Sequence, residues 1–139
     1  MTPAFLDTSG LIALTDTDDY WHSRAVEVWQ DLLVRKRRLV TTSLILIELA
    51  DGLAKVHFRS IAIQLKDALT SSQNVEVVHV DERLEAASWQ LFRERSDKDW
   101  GMTDCASFSL MTERKLIDVF GLDHHFEQAG FNLLIKNQS

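Results

Sequence analysis

Residues 4–9 read Ala-Phe-Leu-Asp-Thr-Ser, a short apolar run that ends in an acid followed by two hydroxyl residues. Residues 119–123 have the same plan, because Val-Phe-Gly-Leu-Asp places Asp123 directly after apolar residues. A few consecutive apolar residues between polar neighbours are typical of a buried strand. Each segment therefore predicts a strand whose carboxyl end is followed by an aspartate.

Helical patterns separate these and other strand-like segments along the chain. The predicted strands are 3–6, 38–42, 75–80, 116–120 and 131–135, and the predicted helices are 9–14, 20–33, 44–54, 58–69, 82–95, 103–113 and 124–128. Ser9, Ser43, Asp81 and Thr103 are the expected helix caps. Helices that alternate with short strands predict an α/β domain with a mostly parallel sheet.

Four carboxylates stand out against this pattern. Asp7 and Asp123 follow strands, and the carboxyl ends of parallel strands meet at one edge of a sheet, where ligands bind. Glu48 interrupts the apolar segment 44–49 and is expected on a buried helix face, and Asp104 opens a helix behind Gly101. Buried acids are costly to ionise unless a positive charge neutralises them. Their convergence predicts a site for an oxygen-preferring ion such as Mg²⁺ or Mn²⁺.

Simpler roles remain open for most of these residues when they are taken one at a time. Asp7 and Asp123 could serve as turn or helix caps, and Asp104 could stabilise a helix dipole. Glu48 is the hardest to explain structurally. His124 and His125 could contact a metal ion or RNA, but Phe126 beside them favours a packing role.

Composition sets the broad class. With 139 residues and 45% hydrophobic content, residues 1–139 are expected to form a single domain. The apolar runs are too short to span a bilayer, so no membrane association is expected. Cys105 is the single cysteine, which excludes an internal disulfide and favours a reduced, cytoplasmic setting.

The formal net charge of −6 argues against a nucleic-acid partner, although bound divalent ions would offset part of it. The basic block 35–38 is interpreted as a solvated helix end, where cations are favourable.

Four motifs together resemble the PIN-domain family, and most closely its VapC-type toxin ribonucleases. They are Phe-Leu-Asp-Thr-Ser at 5–9, Thr-Ser at 42–43 with Glu48, Thr-Asp-Cys-Ala-Ser-Phe at 103–108, and Asp-His-His-Phe-Glu-Gln-Ala-Gly-Phe at 123–131. The resemblance covers nearly the whole chain. It implies a three-layer α/β/α fold around a five-stranded, mostly parallel sheet. It also implies an endoribonuclease that depends on Mg²⁺ or Mn²⁺.

The resemblance assigns roles residue by residue. Asp7, Glu48, Asp104 and Asp123 match the family's four catalytic and metal-binding acids, Ser9 and Thr103 match hydroxyl residues beside two of them, and Asp97 or Asp99 could act as outer ligands. Many relatives have serine where this chain has Gly101, so a hydrogen bond from that hydroxyl is missing here.

The leading functional hypothesis is therefore a toxin that cleaves RNA (tRNA, rRNA or mRNA) and is held inactive by a cognate antitoxin. Alternatives are a PIN nuclease in RNA processing without an antitoxin, a catalytically silent binding module, and a phosphatase. Lys98, Arg59 and Arg93 are the candidate RNA contacts. A homodimer is also expected, because the helices carry many large apolar side chains: Trp21, Trp29, Phe58, Leu65 and Trp89.

Overall fold

Five short strands form one parallel sheet at the centre of the computed structural model, which describes residues 1–137. The strands are β1 (Ala4–Leu6), β2 (Leu39–Thr42), β3 (Val75–Val78), β4 (Asp118–Phe120) and β5 (Asn132–Leu133). Their order across the sheet is β3-β2-β1-β4-β5, and every neighbouring pair is parallel. The predicted five-stranded α/β architecture is confirmed.

Within the described residues 1–137, seven helices connect the strands. They are α1 (Thr8–Thr15), α2 (His22–Val34), α3 (Ser43–Gly52), α4 (Arg59–Ser71), α5 (Glu82–Glu94), α6 (Met102–Arg114) and α7 (His124–Gln128). All seven predicted helices and all five predicted strands are present; α7 has the predicted bounds, and no end of another element differs from the prediction by more than two residues. The last strand is shortened most, to two residues where the sequence pattern predicted 131–135.

The position of β1 determines where the site forms. Its residues Ala4, Phe5 and Leu6 are fully buried, and it pairs with β2 on one side and with β4 on the other. The chain first builds the sheet from β1 towards β3 and then returns to add β4 and β5. The order of strands therefore reverses at the β1–β4 boundary, which is the usual place for a binding crevice.

Three helix caps differ from the prediction by one or two residues. Asp7, not Ser9, caps α1, and Thr42 rather than Ser43 caps α3 by accepting a hydrogen bond from the amide of Ile45. The α6 helix is preceded by Gly101, so Thr103 lies inside its first turn. The hydroxyl of Ser43 instead accepts a hydrogen bond from the amide of Val80 at 3.0 Å. Adjacent polar residues at a strand–helix junction compete for the cap, and the sequence does not rank them.

The aromatic residues of α6, α7 and the loop before α6 pack together beneath the site. Trp100 is buried and lies edge-on to Phe108 at 4.9 Å between ring centroids. Its indole N–H donates to Gln128. Phe108 also packs edge-on against Phe126. These rings hold the start of α6 close to α7.

The other three tryptophans differ in burial. Trp21 and Trp29 are partly buried and pack against the core. Trp89 is 43% exposed and lies edge-on to Phe92, which is equally exposed on α5. Leu84 and Ser88 are the buried residues of that helix.

The basic block 35–38 is only partly solvated. Arg37 is buried, donates to Asp118 at 2.7 Å and also donates to the carbonyl of Thr2 at 3.0 Å. This part of the prediction is wrong, because the partly buried ion pair between Arg37 and Asp118 ties the residue before β2 to β4. Within residues 1–137, no helix combines the length and the apolar character needed to cross a membrane.

Gly10 allows α1 to approach β4 closely. A β-carbon at this position would lie 2.7 Å from the carbonyl carbon of Phe120. Backbone atoms at that distance cannot move aside as the end of a side chain can, so only glycine fits between α1 and β4.

We expect Gly10→Ala to destabilise the protein by about 1–3 kcal/mol or more, because the added methyl group overpacks a backbone contact. Gly52→Ala is the matched control in another helix. Its β-carbon would lie 3.1 Å from Cδ1 of Ile12, a side-chain end that can move, so its unfolding free energy should change by less than about 1 kcal/mol. Urea unfolding of both variants measures the difference. Equal stabilities of the two variants would contradict this account.

Candidate metal centre

Asp7 is the most buried carboxylate of the site. It directly follows β1, caps α1 and is only 4% exposed. Its Oδ2 accepts hydrogen bonds from the hydroxyl of Ser9 at 2.6 Å and from the amide of Ser9 at 3.2 Å. The Ser9 hydroxyl in turn accepts from the amide of Leu122 at 2.8 Å. Ser9 therefore links the residues after β1 to those after β4.

Burial raises the pKa of Asp7 from 3.8 to about 7. The two hydrogen bonds from Ser9 oppose this change, whereas the nearby carboxylates of Glu48 and Asp123 add to it. A carboxylate whose neighbours are other carboxylates is stabilised in its charged form by a cation. The surroundings of Asp7 thus favour an ionised carboxylate with a positive ion bound beside it over an ionised carboxylate without one.

Asp104 lies in the first turn of α6, where the helix dipole favours a negative charge. Its Oδ2 accepts from the amide of Gly101 at 3.1 Å and lies 3.0 Å from Nδ1 of His125. Burial raises the pKa of Asp104, and the charge of Asp123 adds to this, while the contacts with Gly101 and His125 lower it.

Asp123 is the carboxylate that connects the others electrostatically. It caps α7, and its Oδ1 accepts from the amide of His125 at 2.9 Å. Its charge raises the pKa of both Asp7 and Asp104. The capping roles weighed for Asp7 and Asp123 are therefore real, and both residues cap a helix while their carboxylates face the same crevice.

The predicted position of Glu48 on a buried helix face is wrong. Glu48 is exposed, whereas Ile45 and Leu49 of the same helix are buried. Successive residues of a helix are about 100° apart, so Glu48 lies at the border of the apolar face formed by those neighbours. Its charge nevertheless raises the pKa of Asp7, so the structure does bring Glu48 to the site.

His125, for which the sequence favoured packing over contact with a metal ion or RNA, lies beside two of the predicted acids. The predicted packing role is wrong for its ring, because Nδ1 lies 3.0 Å from Asp104 and 3.4 Å from Asp123. Phe126, the neighbour that suggested packing, is the residue that is fully buried. An aspartate two residues before this histidine was the available signal, since backbone geometry at a cap brings the two together.

The supporting residues are placed unequally. Ser9 contacts Asp7 directly, as described above. Thr103 is half-buried beside Asp104, and its carbonyl accepts from Ser107 at 3.0 Å. Asp99 is exposed in the loop before α6, and Asp97 is exposed and forms an ion pair with Arg95 at 3.0 Å.

The three candidate RNA-contacting cations lie on separate segments. Lys98 lies in the loop before α6, and its Nζ is 4.0 Å from Asp97. Arg59 begins α4 and donates to the carbonyl of Ala54 at 2.8 Å. Arg93 is exposed near the end of α5. Lys98 is the cation closest in the chain to a carboxylate of the site.

The donor chemistry fits a divalent cation. Asp7, Glu48, Asp104 and Asp123 supply oxygens, which Mg²⁺ and Mn²⁺ prefer. Ligand atoms of Asp123, His124 and His125 lie within 4.8 Å of one another, a group that includes only one of the four predicted acids. Of the two histidines, His125 is the one whose Nδ1 also lies beside Asp104, at 3.0 Å, whereas 66% of the His124 side chain is exposed.

A family model described as the PIN domain matches residues 4–132. The chain belongs to the PIN domain family. The match includes all four carboxylates and every strand up to the start of β5, so the predicted family is confirmed.

Two curated relatives and one solved structure are similar over nearly the whole chain. The relatives are the 23S rRNA-specific endonuclease VapC20 from two strains of Mycobacterium tuberculosis, each 27% identical over 127 residues, which are 91% of this chain and 94% of the relative. The solved structure is the crystal structure of M. tuberculosis VapC20, a toxin that cleaves the sarcin–ricin loop. It has a TM-score of 0.82 and 24% identity, and the match covers 93% of this chain and 96% of VapC20. The chain therefore has the same fold as the VapC20 crystal structure.

The raised pKa of Asp7 predicts how stability depends on pH in the metal-free protein. A carboxyl whose pKa is higher in the folded state than the ordinary 3.8 stabilises the fold most below about pH 4, and this stability is lost as pH rises through about 7. The difference in pKa corresponds to a loss on the order of 4 kcal/mol. Asp7→Asn cannot ionise, so we expect it to lose much less stability over this range.

Denaturant unfolding in excess chelator, from pH 4 to pH 8, measures this effect. Asp18→Asn is the control, because Asp18 is exposed in the loop after α1 and its loss should leave the slope of the parent unchanged. A parent and an Asp7→Asn variant with the same pH slope would show that Asp7 is not the group responsible.

Proposed function

We propose that this protein is an endoribonuclease that hydrolyses RNA phosphodiester bonds with the help of a bound divalent cation, Mg²⁺ or Mn²⁺. The observation that carries the proposal is that Asp7, the most buried acid, has the carboxylates of Glu48 and Asp123 as electrostatic neighbours, and that Asp104 has the carboxylate of Asp123. Asp7, Glu48, Asp104 and Asp123 are the proposed catalytic and metal-binding residues.

Hydrolysis of a phosphodiester requires an activated water, neutralisation of the phosphate charge and stabilisation of the leaving oxygen. A divalent cation supplies these functions when it is bound. The protein's part is to hold the ligands in place and to exclude alternative geometries. Ser9 fixes one oxygen of Asp7 through two hydrogen bonds, and the amide of Gly101 fixes one oxygen of Asp104.

Asp7 and Glu48 differ in the freedom of their side chains. Asp7 is buried and held by Ser9, so it forms the fixed part of the site. Glu48 is exposed on α3, so its carboxylate can adjust to the ion or to a water molecule next to it. Ser9, Thr103 and Asp99 are the proposed supporting residues, of which Ser9 has the direct contact.

The substrate proposed first is ribosomal RNA. VapC20 is specific for 23S rRNA. The two sequences are 27% identical over 91% of this chain, which supports the same substrate class here. Transfer RNA and messenger RNA are the comparison substrates. The intact set of carboxylates argues against a catalytically silent binding module, since clustered charge without a ligand reduces stability.

We also propose that the protein is a toxin controlled by a cognate antitoxin, and that it forms a homodimer. The similarity to VapC20, a toxin, supports the first part. Trp89 and Phe92 support the second, because they form an exposed aromatic pair on α5 and such surfaces often lie at interfaces. Of the side chains that suggested a dimer, Trp21, Trp29, Phe58 and Leu65 pack against the core instead. Sedimentation velocity tests the dimer.

We expect the purified protein to cleave rRNA with Mg²⁺ or Mn²⁺ and to lose this activity in excess chelator. Asp104→Asn should reduce cleavage by more than about 100-fold, because loss of even an outer partner of a metal ligand typically costs about 10–100-fold. In chelator the variant should melt at the same temperature as the parent or higher, since the substitution removes one of several repelling charges. Added Mg²⁺ should stabilise the parent more than the variant.

Glu113→Gln is the control for this experiment, because Glu113 is exposed on the same helix at the end away from the site. It should cleave RNA at the parent's rate. Cleavage that persists in chelator, or an Asp104→Asn variant that still cuts RNA, would refute the metal-dependent mechanism.

Lys98→Ala should weaken RNA binding and flatten its dependence on salt. Each phosphate contact contributes roughly 0.7–0.9 to the slope of log K against log[salt], so the slope should fall by about that amount. Lys115→Ala is the control, because Lys115 is exposed at the far end of α6, roughly 16 Å from Asp104 at 1.5 Å per residue. Filter-binding titrations between 50 and about 200 mM salt measure both slopes. Identical slopes for the parent and Lys98→Ala would place the RNA path elsewhere.

A further inference from the structure

The ring of His125 lies between two carboxylates of the site. Its Nδ1 is 3.0 Å from Oδ2 of Asp104 and 3.4 Å from Oδ1 of Asp123, and 19% of the side chain is exposed. A carboxylate oxygen accepts hydrogen bonds, so Nδ1 carries the hydrogen and donates it to Asp104. The same residue also donates its backbone amide to Asp123 at 2.9 Å. One residue thus contacts both carboxylates through two different donors.

These contacts cross between two elements that are separate in the chain. Asp104 is on α6 and His125 is on α7, so this contact joins the two helices directly. Both donors to Asp104, the amide of Gly101 and the ring of His125, end on Oδ2. Oδ1 of Asp104 is thereby left to serve as a ligand. The position of that oxygen depends on the histidine ring.

We propose that His125 is a positioning residue that holds Asp104 and Asp123 in the arrangement that binds the divalent cation. The proposal rests on the proposed function, because it concerns the same site. Partners of this kind orient the ligands of a metal ion, and their loss typically weakens metal binding by about 10–100-fold. His125 acts through the two carboxylates and does not contact the ion.

His124 provides a matched control next in the chain. Its Nδ1 is 3.7 Å from Oδ1 of Asp123, which is too far for a hydrogen bond, and 66% of its side chain is exposed. The His124→Ala variant therefore removes an imidazole from the same turn without removing a hydrogen bond to either carboxylate.

Two substitutions of His125 separate the hydrogen bond from the rest of the ring. His125→Ala removes the donor. His125→Asn keeps an amide nitrogen close to the position of Nδ1, so it can still donate to Asp104. Chelator melts of all three variants establish that each is folded before metal is added.

The experiment is calorimetric titration of each metal-free variant with Mn²⁺ and separately with Mg²⁺, in the absence of RNA, followed by RNA cleavage kinetics. We expect His125→Ala to weaken the binding of Mn²⁺ and of Mg²⁺ to the same extent, by about tenfold or more. His125→Asn should remain within about threefold of the parent, and His124→Ala within about twofold. In cleavage, kcat should fall for His125→Ala while KM for RNA changes by less than about twofold.

Three results would overturn the positioning role. One is unchanged affinity for both ions in His125→Ala. Another is a loss confined to Mn²⁺, which would make His125 a direct ligand, because Mg²⁺ is the harder ion and binds oxygen ligands more strictly. The third is a parent that binds neither ion. Absence of RNA cleavage in every variant, with the metal affinities as expected, would refute the proposed function and leave the role of His125 supported.

Discussion

The structure depends on a buried carboxylate at the junction of β1 and β4. Asp7 lies in a buried part of the fold, where a charge is costly. Hydrogen bonds from the hydroxyl and the amide of Ser9 hold its carboxylate in place. The same hydroxyl accepts the amide of Leu122, and the amide of Asp7 donates to the carbonyl of Phe120 at 3.1 Å. The polar contacts that position the acid also join the two halves of the sheet.

This coupling explains why packing around the junction is so tight. Gly10 allows α1 to contact the backbone of Phe120, and a β-carbon at Gly121 would lie 2.9 Å from Cβ of Asp7. Any larger side chain at either position would separate α1 from β4 and move Asp7 away from Asp123. The packing that holds Asp7 beside the end of β4 therefore restricts both positions to glycine.

Much of the fold could be predicted from the sequence, because strands that end in an acid and helices with apolar faces leave strong periodic patterns. The exposure and the contacts of single side chains could not be predicted, because they depend on which residues lie next to them in space. Glu48 lies at the edge of an apolar helix face, where a shift of one position changes its exposure. His125 meets Asp104 only because α7 folds back against α6, and no local pattern describes that contact. Asp7 and Asp123 were recognisable because their positions depend only on the ends of adjacent strands.

The pairing of β1 with β4 has a consequence for the order in which the protein is made. Residues 5 and 119 are partners in the sheet, so the first strand is synthesised long before the strand that completes its edge. Contacts between such distant parts of the chain form late in folding. A nascent chain that stops before Asp123 carries Asp7, Glu48 and Asp104 but not the complete crevice. The crevice is therefore completed only once residues 118–123 have been made and β4 has paired with β1.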